Sequence, residues 1–415
     1  MLLGYLALLM ALGGFDQWQR LGSVPVAPPL TPSFVDTRVI TSAWECQQRD
    51  LDVLKTNPCD PWHRPMNYPR IWLAPAIFGI TQEATVALGL AVGAIFCVSF
   101  LALIGRPSLL EGVAYGLALV SPAVMLGLGV GNVDLLIFAL IVGALALLRR
   151  SRRSRVLAHG LFLVVAVLKL YPVLAWAVLL RQRRSLRAIL PLVILFALYL
   201  AATWGDIAAI RAATPQMDVF SYGAQIGVEQ LDRNGIIPLV TAAASPVIAA
   251  AALSLACGAW LWRGRRSAGA GAFAGSVEVD AFVAGAAIYV GTFMVAQNFD
   301  YRLVFLLLTL PQLLAWCDQP RAVPVPVPRL TLIAVFAALW LGEPFSSNGL
   351  HTEEIANWFL FLSLGSALAA LLLPRGLGRS ALGRVAIRGG GHRPGVTVTA
   401  ANRTQQLPKR APADP

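Results

Sequence analysis

The sequence predicts an all-α polytopic membrane protein, and three observations carry that class. Hydrophobic residues make up 57% of the 415 positions and charged residues only 13%, where a soluble domain carries roughly a quarter charged. The apolar residues fall in runs long enough, or nearly long enough, to cross a ~30 Å hydrocarbon core. The formal net charge of +12 is bunched between those runs, as the positive-inside bias of cytoplasmic loops requires. No basic helix or aromatic-basic module stands outside them, so no nucleic-acid partner is expected.

In chain order the runs lie at about 1–15, 84–104, 109–130, 132–148, 188–204, 236–262, 281–297, 303–316, 330–342 and 358–373, which predicts ten crossings. The opening MLLGYLALLMALGGF has no basic n-region and no A-x-A-like cleavage site, so it reads as a first helix and not as a removed signal. An eleventh stretch, Val156 to Leu180, is flanked by RRSRRSR at 149–155 and RQRRSLR at 181–187. A simple crossing there would put one Arg cluster outside. Entry and return, broken at Lys169-Leu170-Tyr171-Pro172, keeps every Arg-rich segment from Arg149 onwards inside. Proline removes a backbone donor and disfavours helix just before itself. A broken helix is tolerated at membrane depth where it lines a cavity or is buried in protein. One tilted helix with a snorkelling lysine is the alternative.

This topology puts both termini in the cytoplasm and leaves 16 of the 21 Asp and Glu outside. The chemistry is therefore expected to face outwards. A catalytic transmembrane domain is expected over 1–373, with an outer loop at 16–83 carrying interfacial helices. The basic tail 374–415 has no apolar period and is expected to be disordered.

The outer loop from Phe34 to Trp72 is the one long polar, aromatic-rich stretch. Asp36 opens a segment with apolar Val39, Ile40, Ala43 and Trp44 at helical spacing, expected to lie flat on the membrane surface. Its carboxylate suits a helix N-terminus, so it is either a cap or a general base aimed at the membrane surface. Asn57 to Trp72 holds four prolines and reads as a fixed irregular loop. Trp62, Tyr68 and Trp72 there serve as interfacial anchors or as platforms for a sugar. Arg64 and Arg70 offer guanidinium groups to phosphate. Cys46 and Cys59 share this loop as a disulfide or as two free thiols; Cys97, Cys257 and Cys317 sit in or beside apolar runs.

Further polar groups interrupt the apolar runs. Gly131-Asn132-Val133-Asp134 reads as the outer end of a hairpin, with Gly131 serving the turn; Asp134 begins a helix inside the membrane boundary, where an acid is paired or functional. Lys169 is the one lysine inside an apolar run, in a chain with three lysines. It fits a lipid-linked phosphate or a buried salt bridge, Asp134 being a partner within reach. In Gln297 to Arg302, Asp300 and Arg302 either pair with each other or leave Arg302 as a fork for phosphate oxygens. His351, beside Glu353 and Glu354, belongs to the last outer loop. No metal spacing, P-loop or G-x-S-x-G occurs.

The order of these features resembles the integral-membrane glycosyltransferases of the GT-C fold, and most closely glycosyltransferase family 87. Asp36 followed by Asn67-Tyr68-Pro69 is similar to that family's D-x-x-x-Y…Y-P-P opening, Gly131 to Asp134 to its G-Q/N-x-N hairpin, and Lys169 to Pro172 to its K-x-x-P. The polar turn before Leu303-Val304-Phe305 and Pro311 completes the set. Two departures stand out: Arg70 replaces the second proline, and Asp-Tyr-Arg stands in a turn where the family often has histidine. The resemblance implies inverting transfer of a sugar, commonly mannose, from a polyprenyl-phosphate donor to a glycolipid or polysaccharide acceptor on the outer face, without cofactor or nucleotide sugar. Asp36 would be the base. Lys169, Arg302, Arg64 and Arg70 are then candidates for the donor phosphate, and Asp134, Asn132, Tyr68, Trp62, Asp300 and His351 for acceptor or sugar. A transporter or flippase of a lipid-linked sugar, and a lipid-diphosphate-dependent ligase or polymerase, are the alternatives. The Arg and Ala content suits GC-rich coding DNA and, with the topology, an expected bacterial inner membrane.

Overall fold

The computed structural model describes residues 33–182, 185–215, 221–226, 244–265, 276–295, 297–318, 327–342 and 353–372. The opening run 1–15, His351 and the tail 374–415 lie outside the described residues.

Among these, helices dominate, as uninterrupted apolar sequence requires of a backbone removed from water. They are α1 (Val35–Gln47), α2 (Thr85–Ile104), α3 (Leu109–Leu119), α4 (Pro122–Val130), α5 (Asp134–Leu148) and α6 (Arg152–Leu168). Then follow α7 (Ser185–Ala202), α8 (Trp204–Ala213), α9 (Ala244–Arg265), α10 (Val277–Val295), α11 (Leu310–Asp318), α12 (Pro328–Trp340) and α13 (Glu353–Leu372). Tighter 3-10 helices cover Arg70–Phe78, Tyr171–Arg181 and Asp300–Leu308. Three helices are long and apolar enough to cross a membrane, Gln82–Ile104, Val277–Val295 and Glu353–Leu372, and three bent pairs raise the number to six. This is an α-helical membrane protein with three to six candidate spans among the described residues.

Helix α10 is the centre of the packing, buried continuously from Val279 to Tyr289. Its small residues allow close neighbours: a Cβ at Gly285 would lie 2.6 Å from the Phe305 carbonyl oxygen. The outermost faces carry apolar side chains in the open, among them Leu90, Val98 and Leu101 on α2 and Leu109 and Leu110 on α3, as a surface solvated by lipid requires.

The break expected at Lys169 is present. Helix α6 ends at Leu168, Lys169 and Leu170 leave helical geometry, and the 3-10 helix starts at Tyr171 with Pro172 in its first turn. The chain then doubles back, because the Trp176 indole donates to the Phe162 carbonyl at 2.9 Å. Both ends of the segment also meet one acid: Asp280 lies 2.6 Å from Arg149 and 3.2 Å from Arg181.

Several runs expected to be continuous are broken. The 109–130 run bends by 53° between α3 and α4, where Ser121 and then Pro122 at the first helical position start a new helix. The 303–316 run bends by 52° before α11, whose second residue is Pro311. A 73° bend at Thr203, at the end of the expected 188–204 run, adds α8 beyond it.

Helix α1 also differs from expectation. Thr41, Ser42, Ala43 and Trp44 are consecutive and all buried, and the apolar positions Val39, Ile40, Ala43 and Trp44 are covered by protein and not left for a bilayer. The covering is the loop that follows and the first residue of α2: Asn57 donates to the Ser42 hydroxyl, Thr41 bonds the Thr85 hydroxyl, and the Trp44 indole donates to the Trp72 carbonyl. The irregular loop is shorter than expected, because helix begins at Arg70 and runs through Trp72. One antiparallel strand pair, Ser221↔Phe299 and Tyr222↔Asn298, has no counterpart in the apolar pattern.

Candidate active site

The first turn of α1 docks on the hairpin between α4 and α5. Gly131 ends α4 in the left-handed region (φ 62°), where glycine escapes the Cβ clash. Thr37 donates to its carbonyl at 2.7 Å, and a Cβ at Gly131 would lie 2.9 Å from the Phe34 ring. Phe34 precedes α1 with φ 56°, an unusual conformation for a bulky residue. This packing sets Asp36 against Asn132. Asp36 does not act as the helix cap: Phe34 occupies that position, and the carboxylate points across the interface.

Asn132 is the hub. Its Oδ1 accepts from the Asp134 backbone N–H at 2.9 Å and from the Lys169 ammonium at 3.2 Å. An amide that accepts twice on oxygen must turn its NH₂ the other way, and Nδ2 donates to Asp36 Oδ2 at 2.5 Å. Lys169 also binds Asp134 Oδ1 at 2.8 Å. The second Asp134 oxygen is 3.8 Å from Arg302 Nε, and neither atom has a hydrogen-bond partner among the described residues. Arg302 donates from Nη1 to Asn298 Oδ1 at 2.5 Å and lies 4.6 Å from the Tyr171 ring centre. Tyr68, Tyr171 and Tyr301 surround the ammonium at 5.5, 5.9 and 5.5 Å, within cation–π range.

Two carboxylates and two cations thus share one pocket of rings. Burial raises the Asp36 carboxyl above the usual carboxylate range, opposed by the Asn132 amide and then by Lys169 and Arg64. A carboxyl raised in this way is a better proton acceptor when ionised. Cations beside it suit an anionic group that gains charge as a bond breaks.

No protein-family model, curated protein or solved structure matches this chain.

Of the sequence-predicted residues, Asp36, Asn132, Asp134, Lys169, Arg302 and Tyr68 come together. Arg64 serves as a brace for the loop: it binds Asp60 through two nitrogens, at 2.8 and 3.1 Å, and donates to the Val35 carbonyl at 3.0 Å. Trp62 lies under that guanidinium, 4.5 Å away, and is 41% exposed. Arg70 is part of a separate pairing with Asp52 and Asp206, each at 2.9 Å. Its hydrogen bond holds the Asp52 carboxyl below the usual range. Asp300 is buried beside Gly342, where a Cβ would come 3.0 Å from its Oδ2. His351 lies outside the described residues.

Sequence reasoning passed over Tyr171, Tyr301 and Asn298. Each is next to, or one residue from, a group already singled out, so adjacency on a tight turn was the available signal. Cys46 and Cys59 are joined as a disulfide, which settles the two alternatives left open and ties the loop to the helix that carries Asp36.

Proposed function

We propose that the chain is an inverting membrane glycosyltransferase, transferring a mannose-like sugar from a polyprenyl-phosphate donor to a glycolipid or polysaccharide acceptor on the outer face. The observation that carries this reading is the partly buried constellation of one carboxylate able to accept a proton, Asp36, with two cations, Lys169 and Arg302, within a single network of hydrogen bonds and ion pairs. Asp36 removes the proton of an acceptor hydroxyl. The acceptor oxygen bonds to the anomeric carbon as that carbon's bond to the phosphate oxygen breaks. The electron pair leaves on the phosphate, whose charge Lys169 and Arg302 balance. Asn132 fixes which Asp36 oxygen is occupied and leaves the other for the acceptor.

The resemblance of Asp36, the Asn132 hairpin, Lys169 to Pro172 and the turn at Arg302 to family 87 adds to this reading, together with its GT-C fold of about ten crossings. Arg64 and Arg70 have lesser claims on the donor than Lys169 and Arg302, because their ion pairs are with Asp60, Asp52 and Asp206, outside the network that joins Asp36, Asn132, Asp134 and Lys169. The broken helix at Lys169 also favours a second reading, a transporter of a lipid-linked sugar, since discontinuous helices mark substrate paths as well.

Membranes bearing the full chain, supplied with radiolabelled polyprenyl-phosphate mannose, should yield labelled glycolipid or polysaccharide, and Asp36→Asn should abolish it. Labelled transfer at the parental rate by Asp36→Asn would remove the base. Movement of intact donor across proteoliposomes with no covalent product would favour the transporter.

A further inference from the structure

Ending a helix inside a membrane protein leaves its last four carbonyls without intrahelical partners, and at that depth water is not there to take them. At the end of α6 three acceptors are accounted for. The Val165 carbonyl receives the Lys169 backbone N–H at 3.3 Å, the Val167 carbonyl receives the Tyr199 hydroxyl at 3.4 Å, and the Leu168 carbonyl receives the Trp72 indole N–H at 2.9 Å. The shortest of the three comes from 96 residues away, out of the first loop.

Trp72 is held for this task from both sides. Its backbone N–H donates to the Pro69 carbonyl at 3.0 Å, and its own carbonyl accepts the Trp44 indole. Tyr68, one turn earlier, meets the Trp72 ring edge-on at 6.2 Å and faces the Lys169 ammonium at 5.5 Å. A single short span of loop therefore closes the open end of the helix and walls the ammonium that begins at its next residue.

We infer that Trp72 is a positioning residue for Lys169: its indole N–H, fixed on the Leu168 carbonyl, sets the helix end from which the ammonium reaches Asn132 and Asp134. Trp72 acts through the backbone and touches no substrate. Its role is distinct from that of a sugar platform or an interfacial anchor, either of which would leave the indole N–H to a ligand or to water. The inference concerns the same site as the proposed function but rests on that function only in its kinetic arm.

The chain holds three lysines, Lys55, Lys169 and Lys409, which makes the ammonium directly observable. Lys55 is an internal standard, its side chain being 79% exposed, whereas that of Lys169 is 13% exposed. The full chain in lipid nanodiscs is acetylated with a small N-hydroxysuccinimide ester, and the rates at Lys55 and Lys169 are read by peptide mass spectrometry. Trp72→Phe keeps the ring and deletes the donor. It should raise the Lys169 rate relative to Lys55 about fivefold, the scale of one net hydrogen bond, with the melting temperature lowered by no more than a few degrees. Trp72→His, which retains a ring N–H, should restore most of the protection. In the kinetic arm, Trp72→Phe should raise KM for the polyprenyl-phosphate donor more than it lowers kcat. An unchanged Lys169 rate in Trp72→Phe, or a Trp72→Phe chain that no longer folds or melts many degrees lower, overturns the inference. A parent without transfer activity would instead count against the glycosyltransferase reading alone, and the labelling result would still decide the role of Trp72.

Discussion

The Trp176 indole and the Phe162 carbonyl, equidistant in sequence from Lys169, are joined by a 2.9 Å hydrogen bond. In a continuous helix, residues 14 apart stand about 21 Å from one another. The segment therefore folds back at Lys169, and its two flanks leave from the same end of the bundle. Single cysteines placed at Arg149 and Arg187 are expected to react with an impermeant thiol reagent from one side of the membrane only. Reaction from opposite sides would mean a simple crossing.

Asp280 closes that return by receiving Arg149 and Arg181. Removing one member of a buried pair strands the other charges. Asp280→Ala is expected to cost about 2 kcal/mol, kept below the fully buried figure because Arg149 is partly solvated. Thermal melts in detergent test it, and an unchanged midpoint would show that the triad holds nothing.

Lys169 and Asp134 should depend on each other. Lys169→Met leaves the Asp134 carboxylate buried with only Arg302 nearby, 3.8 Å away, and is expected to destabilise by about 3 kcal/mol. Adding Asp134→Asn removes the stranded charge and should recover part of that loss, a coupling that a double-mutant cycle measures. Additive losses would deny the pairing.

For the proposed glycosyl transfer, the rate should have an acid limb governed by Asp36. Burial raises this carboxyl above its ordinary value of 3.8. The base works when ionised, so activity is full above the raised value and falls as pH drops through it. Asn132→Ala removes a donor to the ionised form, and so should shift the limb further up in pH while lowering the plateau. A limb at the ordinary carboxylate value, unmoved by Asn132→Ala, would assign it to another group.

The Cys46–Cys59 bridge spans a sequence separation of 13, which corresponds to at most about 3 kcal/mol of loop entropy. Joint replacement of both cysteines by serine should lower the melting midpoint and release the Arg64 brace on the Val35 carbonyl. Limited proteolysis within 48–69 reports the release. Equal cleavage with and without the bridge would contradict it.

Much of this architecture was legible in the sequence, and the reasons are local. Long apolar runs located α2, α5 and α10. Pro172, together with the charge on either side, located the break at Lys169. The breaks before Pro122 and Pro311 have similar local causes, yet the uninterrupted apolar runs masked them. What the sequence could not show are pairings settled only by packing. Arg70 meets Asp206, 136 residues on, and Lys169 meets Asp134 where a lipid phosphate was equally reasonable. Trp72 was legible as an aromatic near a membrane, but its acceptor on α6 was not. Helix α1 looked like a surface helix because its period is amphipathic; the loop that covers its polar side is specified by contacts 15 to 44 residues away.

The two-residue strand pair has a mechanical consequence. Tyr222 is registered to Asn298, and Asn298 holds the Arg302 guanidinium through its side chain while its amide is anchored on the Thr292 carbonyl. Between Tyr222 and the cation of the site stand a two-residue backbone ladder and one short hydrogen bond. A shift of Tyr222 along that ladder moves the partner that holds Arg302, and with it the charge that faces Asp134.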